Sequence, residues 1–416
     1  MFDNAVEIPN KRSNFFVLGV FFLVWSINGF FIGGGVLKMG LLMFGFILIL
    51  GSSFTLPVYR RFINFSLIAL FFLISYWAIA IVRSQKTVTF SIFTFDVICF
   101  LLLLSGYFVA SNLNYFTKVS PKIILLISLL AIVGGVMFIK YQSQLLLNNV
   151  GGNTRSAVEE GDDSGINVIG IAYTNAIIFF ILYYFVVYYD LKKWIKGVVF
   201  LSIFCVLFVI LSTQSRGALI YIVLILLMIN FKKIFSVRYV FKSLKVLLVA
   251  VLIFVLALNF FPAMQDKMEG TLERFQTLIA LSEDVEADKS SYERTLIMED
   301  FFNNIEDVIL LGKEGYNPYP HNQFVEIIMR WGLFFGLPLI VFSIRNFVRA
   351  LMRLFKKDSV NPFMNLILFI FIFSFFQSLS SMSLEMNRMF WFGLGFLAAI
   401  PKNSNICLTN KELNYE

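Results

Sequence analysis

Histidine occurs once in the 416 residues. It stands at position 321, inside Gly315-Tyr-Asn-Pro-Tyr-Pro-His-Asn-Gln-Phe-Val-Glu326. An unperturbed imidazole titrates at about 6.5, the range in which a side chain can take a proton from a hydroxyl at neutral pH. Pro318 and Pro320 stiffen the approach, Asn322 and Gln323 follow where an apolar run begins, and Glu326 lies about one helical turn further on. A lone histidine is more often a packing residue. The polar run-in and the nearby carboxylate favour the chemical reading for His321.

Two arginines suit an anion. Arg216 sits in Ser212-Thr-Gln-Ser-Arg-Gly-Ala218, between two apolar runs. Its small neighbours let backbone approach a ligand, and a guanidinium presents fixed, bidentate donors to phosphate. Arg294 follows Ser290 and Glu293, whose spacing reads as a capping box, so it falls in the first turn of a helix. Helix N-terminal amides with an arginine favour an anion such as pyrophosphate. The competing readings are a loop anchor for Arg216 and an ion pair with Glu299 or Asp300 for Arg294.

Other patterns carry less. Gly33-Gly34-Gly35 lacks a phosphate-loop context, Gly332 and Gly336 read as a small-xxx-small packing pair, and Trp331 as an interfacial anchor. No acidic doublet suggests a metal-bound nucleotide sugar. Cys99, Cys205 and Cys407 form neither a disulfide framework nor a zinc site, so no metal or cofactor is expected.

The elements that must hold these residues are membrane spans. Hydrophobic residues make up 59% of the chain and charged ones 14%, against about 45–50% and about 25% in soluble domains. That excludes a soluble fold, a disordered chain and a coiled coil. The apolar residues come in unbroken runs, so a β-barrel is excluded as well. Runs at 15–32, 39–56, 62–82, 90–110, 123–139, 166–189, 196–212, 217–231, 245–261, 323–344, 363–381 and 384–400 are each near the length that crosses a bilayer. The expected fold is an all-α integral membrane protein of about 12 transmembrane helices, a single polytopic domain over 1–416. The first run follows Lys11 and Arg12 as a signal peptide would, but it is long and lacks a cleavage site, and is read as a retained span.

With the N-terminus inside, the inner segments carry 21 of the 34 Lys and Arg but 6 of the 26 Asp and Glu. Both termini are therefore expected in the cytoplasm. The net charge of +8 follows from this topology and is no nucleic-acid signal. Two outer loops are long. Residues 140–165 hold Arg155 and an acidic run, and residues 262–322 are expected to hold amphipathic helices. One has apolar positions from Met264 to Ile279, and the second starts at Ser290 with a stripe through Leu296, Ile297, Phe301, Phe302, Ile305, Val308 and Ile309. The ionisable residues in or near spans, Arg83, Asp96, Arg216, Glu326, Arg330, Glu385 and Arg388, all fall towards outer ends. Snorkelling or a Glu385–Arg388 pair is the bland account of them. A transporter would place such groups near the midplane.

Ser215-Arg-Gly-Ala-Leu219, Ser291-Tyr-Glu-Arg294 and His321-Asn-Gln-Phe-Val-Glu326 leading into Gly332 and Gly336 occur in that order. Together they resemble the O-antigen polymerase and O-antigen ligase superfamily over about Arg155 to Leu351. The first five spans match it only in hydropathy. The resemblance implies a metal-independent glycosyltransferase on the periplasmic face of a bacterial inner membrane. Its donor would be an undecaprenyl-pyrophosphate-linked glycan. Carried over by position, Arg216 and Arg294 hold the pyrophosphate, with Arg155 a weaker candidate, His321 acts as base on the acceptor hydroxyl, and Asn322 and Glu326 orient it. Polymerisation of repeat units is the expected activity, because many Phe-rich chains of this kind are polymerases. A chain-length regulator protein is a further expected partner beside membrane lipid. The alternatives are a ligase that transfers the glycan to lipid A core, an O-linked protein glycosyltransferase and, from another class, a lipid-linked oligosaccharide transporter.

Overall fold

A computed structural model describes residues 10–28, 35–83, 90–148, 168–213, 215–234, 289–312, 321–355, 361–380 and 387–400. The expected span at 245–261, the amphipathic helix through Met264 to Ile279, Gly33, Gly34, Arg155 and Glu385 lie outside them, as do the side chains of Arg83 and Arg294.

Among the described residues the chain is helical, without strands. The helices are α1 (Lys11–Asn28), α2 (Gly35–Ser53), α3 (Arg60–Arg83), α4 (Phe90–Ser111), α5 (Pro121–Asn148), α6 (Val168–Tyr188), α7 (Lys193–Ser212), α8 (Arg216–Ile234), α9 (Lys289–Asn303), α10 (Ile305–Val308), α11 (Gln323–Phe355), α12 (Pro362–Ser378) and α13 (Arg388–Ala399). Five of them are long and apolar enough to cross a membrane, and five more are shorter apolar helices. In hydrocarbon every backbone N–H and C=O must be paired within its own segment, which is why apolar runs of this length become helices. α5 continues to Asn148, through the first nine residues of the segment assigned to the first outer loop.

α12 is the central post. Asn361 caps it, its Oδ1 accepting from the Phe363 amide at 2.8 Å, and Pro362 at the first turn has no N–H to lose. Every residue from Phe363 to Phe375 is buried, against α6, α8, α11 and α13. Between helices in lipid there is little hydrophobic driving force, so close fit does the holding. Phe347 stacks on Phe375 at 3.8 Å, and Phe373 meets Tyr173, Phe180 and Tyr221. Such pairs contribute about 0.5–1.5 kcal/mol each beyond simple burial. Outside this core α1 pairs with α2, α4 with α13, and α7 with α5 and α6. α3 stands apart, with only 6% of its apolar stretch buried, and touches mainly α4 and α11.

The two ends of the bundle differ. At the end where α1 begins, the non-helical stretch after α4 is satisfied by side chains from distant elements. Ser13 Oγ accepts from the Thr117 amide (2.9 Å), Asn14 Oδ1 from the Ser120 amide (2.7 Å) and Tyr189 OH from the Val119 amide (2.9 Å). Asn361 Nδ2 donates to the Leu113 and Phe116 carbonyls. Lys11, Arg12, Arg60, Arg61, Lys118, Lys122, Arg349 and Arg353 gather at this end. His321, Arg216 and Arg388 belong to the opposite one.

Candidate functional site

The site is built on a broken helix. α11 is interrupted at Gly332, whose φ of 64° and ψ of −176° are not helical. A break inside hydrocarbon frees backbone groups that need new partners. Here Leu333 N donates to Ile309 O (2.7 Å) and Phe334 N to Leu310 O (3.1 Å), so the chain after α10 fills the gap. The crossing is tight on both sides: a β-carbon on Gly332 would run into the Leu310 backbone, and one on Gly312 (φ 69°) into the Arg330 carbonyl. Gly332 is thus a break and not half of a helix-packing pair. Gly336 does serve close packing, because a β-carbon there would lie 2.8 Å from Ile327 Cγ2. The half-helix before Gly332 therefore lies close beside the start of the half after it.

That first half-helix also carries the end of the large loop. Phe301, Val308 and Met329 form a buried cluster flanked by Ile305, Val325 and Ile328. α9 begins at Lys289, one residue before the expected cap at Ser290, and ends at Asn303, with α10 as a separate turn. The expected single stripe is divided accordingly: Phe301 and Val308 are buried, while Leu296 and Phe302 face outward. Arg294 is about two turns before Phe301 on α9. Its helix, and not its described contacts, is what connects it to the His321 half-helix.

His321 is half-buried and has φ 52°. A non-glycine residue in this region costs about 1–2 kcal/mol, and such strain tends to collect at functional positions. Asn322 caps α11, its Oδ1 accepting from the amides of Phe324 (3.0 Å) and Val325 (3.3 Å). Glu326 is 3% exposed and pairs with Arg330 at 2.9 Å, one turn further along. Beside the orienting role expected of them, Asn322 caps the helix and Glu326 holds an arginine. Gln323 is fully buried, and its Oε1 accepts from Asn387 Nδ2 (3.0 Å), which also donates to the Ser374 carbonyl (2.9 Å). This amide link joins the start of α11 to α12 and α13. Sequence reading missed it, because neutral amides beside apolar runs announce no partner. Asn387→Ala is expected to lower the melting temperature in detergent, since two buried acceptors lose their donor at about 1–3 kcal/mol. An unchanged melting curve would mean that the link does not hold the helix.

Arg216 is the first residue of α8, half-buried, just after α7 ends at Ser212. A β-carbon on the adjacent Gly217 would sit 2.6 Å from Tyr173 OH, and that hydroxyl lies 3.4 Å from Ser380 Oγ beyond the end of α12. Tyr221, one turn on, stacks on Phe376. Arg216 and His321 thus flank the same end of α12, one through Tyr173 and Ser380, the other through Gln323, Asn387 and Ser374. Arg388, 8% exposed, donates to Ser26 Oγ (2.6 Å) and the Leu23 carbonyl (3.5 Å) in the last turns of α1. The negative end of that helix favours a cation. Among the described residues, no group of three or more His, Cys, Asp or Glu could hold a metal ion.

A cavity of about 360 Å³ opens between α3, α4 and α11. Its lining is apolar except at the His321 end, where Asp96 and Arg330 stand, with Trp77 Nε1 donating to Asp96 at 3.0 Å. Trp331 lines it too, packed on Tyr76 and Trp391, and is therefore inside the protein and not at an interface with lipid headgroups.

Residues 199–341 match the model of a family described as O-antigen ligase. The matched stretch takes in Arg216, Arg294, His321, Asn322, Glu326 and the break at Gly332, and supports the superfamily resemblance; Arg155 lies before it. No curated protein and no solved structure matches the chain.

Proposed function

Proceeding from that match, we propose that this chain is a glycosyltransferase of the O-antigen polymerase and ligase type, using a glycan linked through pyrophosphate to undecaprenol. The observation that carries the reading is the family match over a stretch that holds Arg216 and His321, which lie at the same end of the bundle. In the proposed step the acceptor hydroxyl attacks the anomeric carbon of the donor, and His321 takes the hydroxyl proton. The bond from that carbon to the phosphate oxygen breaks, and its electron pair leaves with the lipid pyrophosphate. Arg216 and Arg294 hold that anion, with Arg155 as an additional cation, so charge neutralisation falls to guanidinium groups and not to a metal. Asn322 and Glu326 support the start of α11. The His321 end faces the periplasm of a bacterial inner membrane and both termini face the cytoplasm, consistent with the basic residues gathered at the other end.

Repeat-unit polymerisation is the first reading, with a chain-length regulator as partner. Transfer to lipid A core is the second, favoured by the description of the matched family. Transport of the lipid-linked glycan fits less well, because the cavity between α3, α4 and α11 is apolar at depth. The test is purified protein in liposomes with undecaprenyl-pyrophosphate-linked repeat units, with and without lipid A core. A ladder without added acceptor means polymerase, product only with lipid A core means ligase, and no covalent product in either removes both. In the productive assay Arg216→Lys is expected to lose at least about tenfold in rate if the contact is bidentate. Full activity of that variant would reduce Arg216 to a point charge.

A further inference from the structure

The end of the bundle where α1 begins carries cations with little counter-charge. From Asn10 to Asn148 the sequence has one acidic residue, Asp96, and it stands at the His321 end. Lys11, Arg12, Arg60, Arg61, Lys118 and Lys122 lie in the start of α1, the start of α3 and the stretch that leads from α4 into α5. Hydrogen bonds bring these segments together. Asn10 N donates to the Lys118 carbonyl (3.1 Å) and Asn10 Nδ2 to the Tyr115 carbonyl (2.7 Å). Asn112 Nδ2 donates to the Pro57 carbonyl (3.3 Å), just before Arg60. Among the described residues Asp190 is the acid at this end, with Lys192 and Lys193 next to it in sequence.

Arg12 is the fixed member of the group. Its Nη2 donates to Thr55 Oγ1 at 2.8 Å, its guanidinium lies over the Tyr115 ring at 5.4 Å, and its backbone N–H is held by Asn10 Oδ1 at 3.0 Å. None of these partners carries a negative charge, and the bond to Thr55 leaves most of the guanidinium donors for an anion. Tyr59 stands beside Tyr115. Partial burial, and then that neighbour, raise its phenol above the ordinary pKa, so it stays a hydrogen-bond donor at neutral pH. The surface around these polar groups is apolar, with Phe54 89% and Val58 59% exposed. Inorganic phosphate would satisfy the cations and leave Phe54 and Val58 uncovered. A phospholipid of negative charge satisfies both.

We propose that the start of α1, the turn between α2 and α3 and the stretch after α4 form a binding site for the headgroup of an anionic phospholipid. Arg12 holds the phosphate, Arg60, Arg61 and Lys118 supply the surrounding positive charge, and Tyr59 donates a hydrogen bond. Phe54 and Val58 enter the acyl region beside the headgroup. The site is preorganised, because Ser13, Asn14 and Asn361 already fix the backbone of the stretch after α4. It lies at the end opposite His321 and Arg216 and is independent of the transferase reading. A bound headgroup offsets the repulsion among these like charges and so fastens α1, α3 and α4 to one leaflet.

The test is a lipid titration. The full chain, purified in a neutral detergent, is mixed with phosphatidylglycerol or with phosphatidylcholine of the same acyl chains, and bound lipid is counted by native mass spectrometry. Phosphatidylglycerol is expected to bind at least about tenfold more tightly, and excess inorganic phosphate is expected not to displace it. Arg12→Ala should weaken phosphatidylglycerol binding at least about fivefold. Lys196→Ala, which removes an exposed cation on α7 at the same end, should leave it within about twofold. Should Arg12→Ala fail to accumulate, Phe54→Asp decides. That side chain is 89% exposed, so its replacement spares the core, and an acid among the cations should bring the affinities for the two lipids together. Equal binding of both lipids by the wild type, displacement by inorganic phosphate, or equal losses in Arg12→Ala and Lys196→Ala overturns the assignment. A Phe54→Asp protein that still prefers phosphatidylglycerol overturns it too.

Discussion

Alanine in place of His321 is expected to reduce glycan transfer by about 10²–10⁴-fold, the usual contribution of a general base, without loss of folded protein. The conformation of this residue supplies a control that most candidate bases lack. At φ 52° any side chain with a β-carbon is strained, whereas glycine is not. His321→Gly should therefore be as inactive as His321→Ala but melt at the same temperature or higher, the backbone cost being about 1–2 kcal/mol. A strained position that exists to place an imidazole gains stability when the imidazole is given up. If His321→Ala keeps more than a tenth of the wild-type rate, the proton transfer belongs to another group, and the imidazole is not what the strain serves.

The second large effect concerns the break in α11. Gly332→Ala would add a β-carbon that meets backbone, not a side chain that could rotate away, at a residue whose φ already favours glycine. Strain and overlap together should exceed about 4 kcal/mol, the range reserved for exceptional single substitutions, so the variant should accumulate poorly or melt far below wild type. Gly336→Ala meets the Cγ2 methyl of Ile327 at 2.8 Å and no backbone closer than 3.3 Å, without a left-handed φ, and should be milder. Gly312→Ala opposes the same crossing from the segment after α10. The Gly312→Ala/Gly332→Ala double variant should consequently lose less than the two single losses combined, because the crossing can be broken only once. Wild-type melting of Gly332→Ala would mean that the helix passes position 332 without a break.

Eleven of the twelve expected apolar runs fall on helices, because unpaired backbone is intolerable in hydrocarbon, and five of those helices are long and apolar enough to cross a membrane. The twelfth, at 245–261, lies outside the described residues. Hydropathy said nothing about the break at Gly332, since a dihedral angle leaves no mark on an apolar average. It also stopped α11 at 344, although the helix runs on to Phe355. Arg345, Arg349 and Arg353 read as loop residues, but long side chains carry charge outward from a continuing helix. At the site, His321 and Arg216 could be picked out by type and neighbourhood. The Glu326–Arg330 pair follows from its spacing of four. The Gln323–Asn387 bond joins positions 64 residues apart and belongs to tertiary structure alone.

That same amide link has a bearing on how the protein meets membranes of different thickness. Helices held only by their surroundings tilt, stretch or sink as the bilayer thins and thickens. The start of α11 is instead riveted to two interior helices through Gln323, Asn387 and the Ser374 carbonyl, all of them buried or carried by buried residues. The depth of His321 is consequently referenced to the protein's own central post and not to the lipid surface. A change of bilayer would rock the bundle as a whole and leave the spacing across the end of α12 as it was, while α3, the helix least tied to the rest, takes up the mismatch.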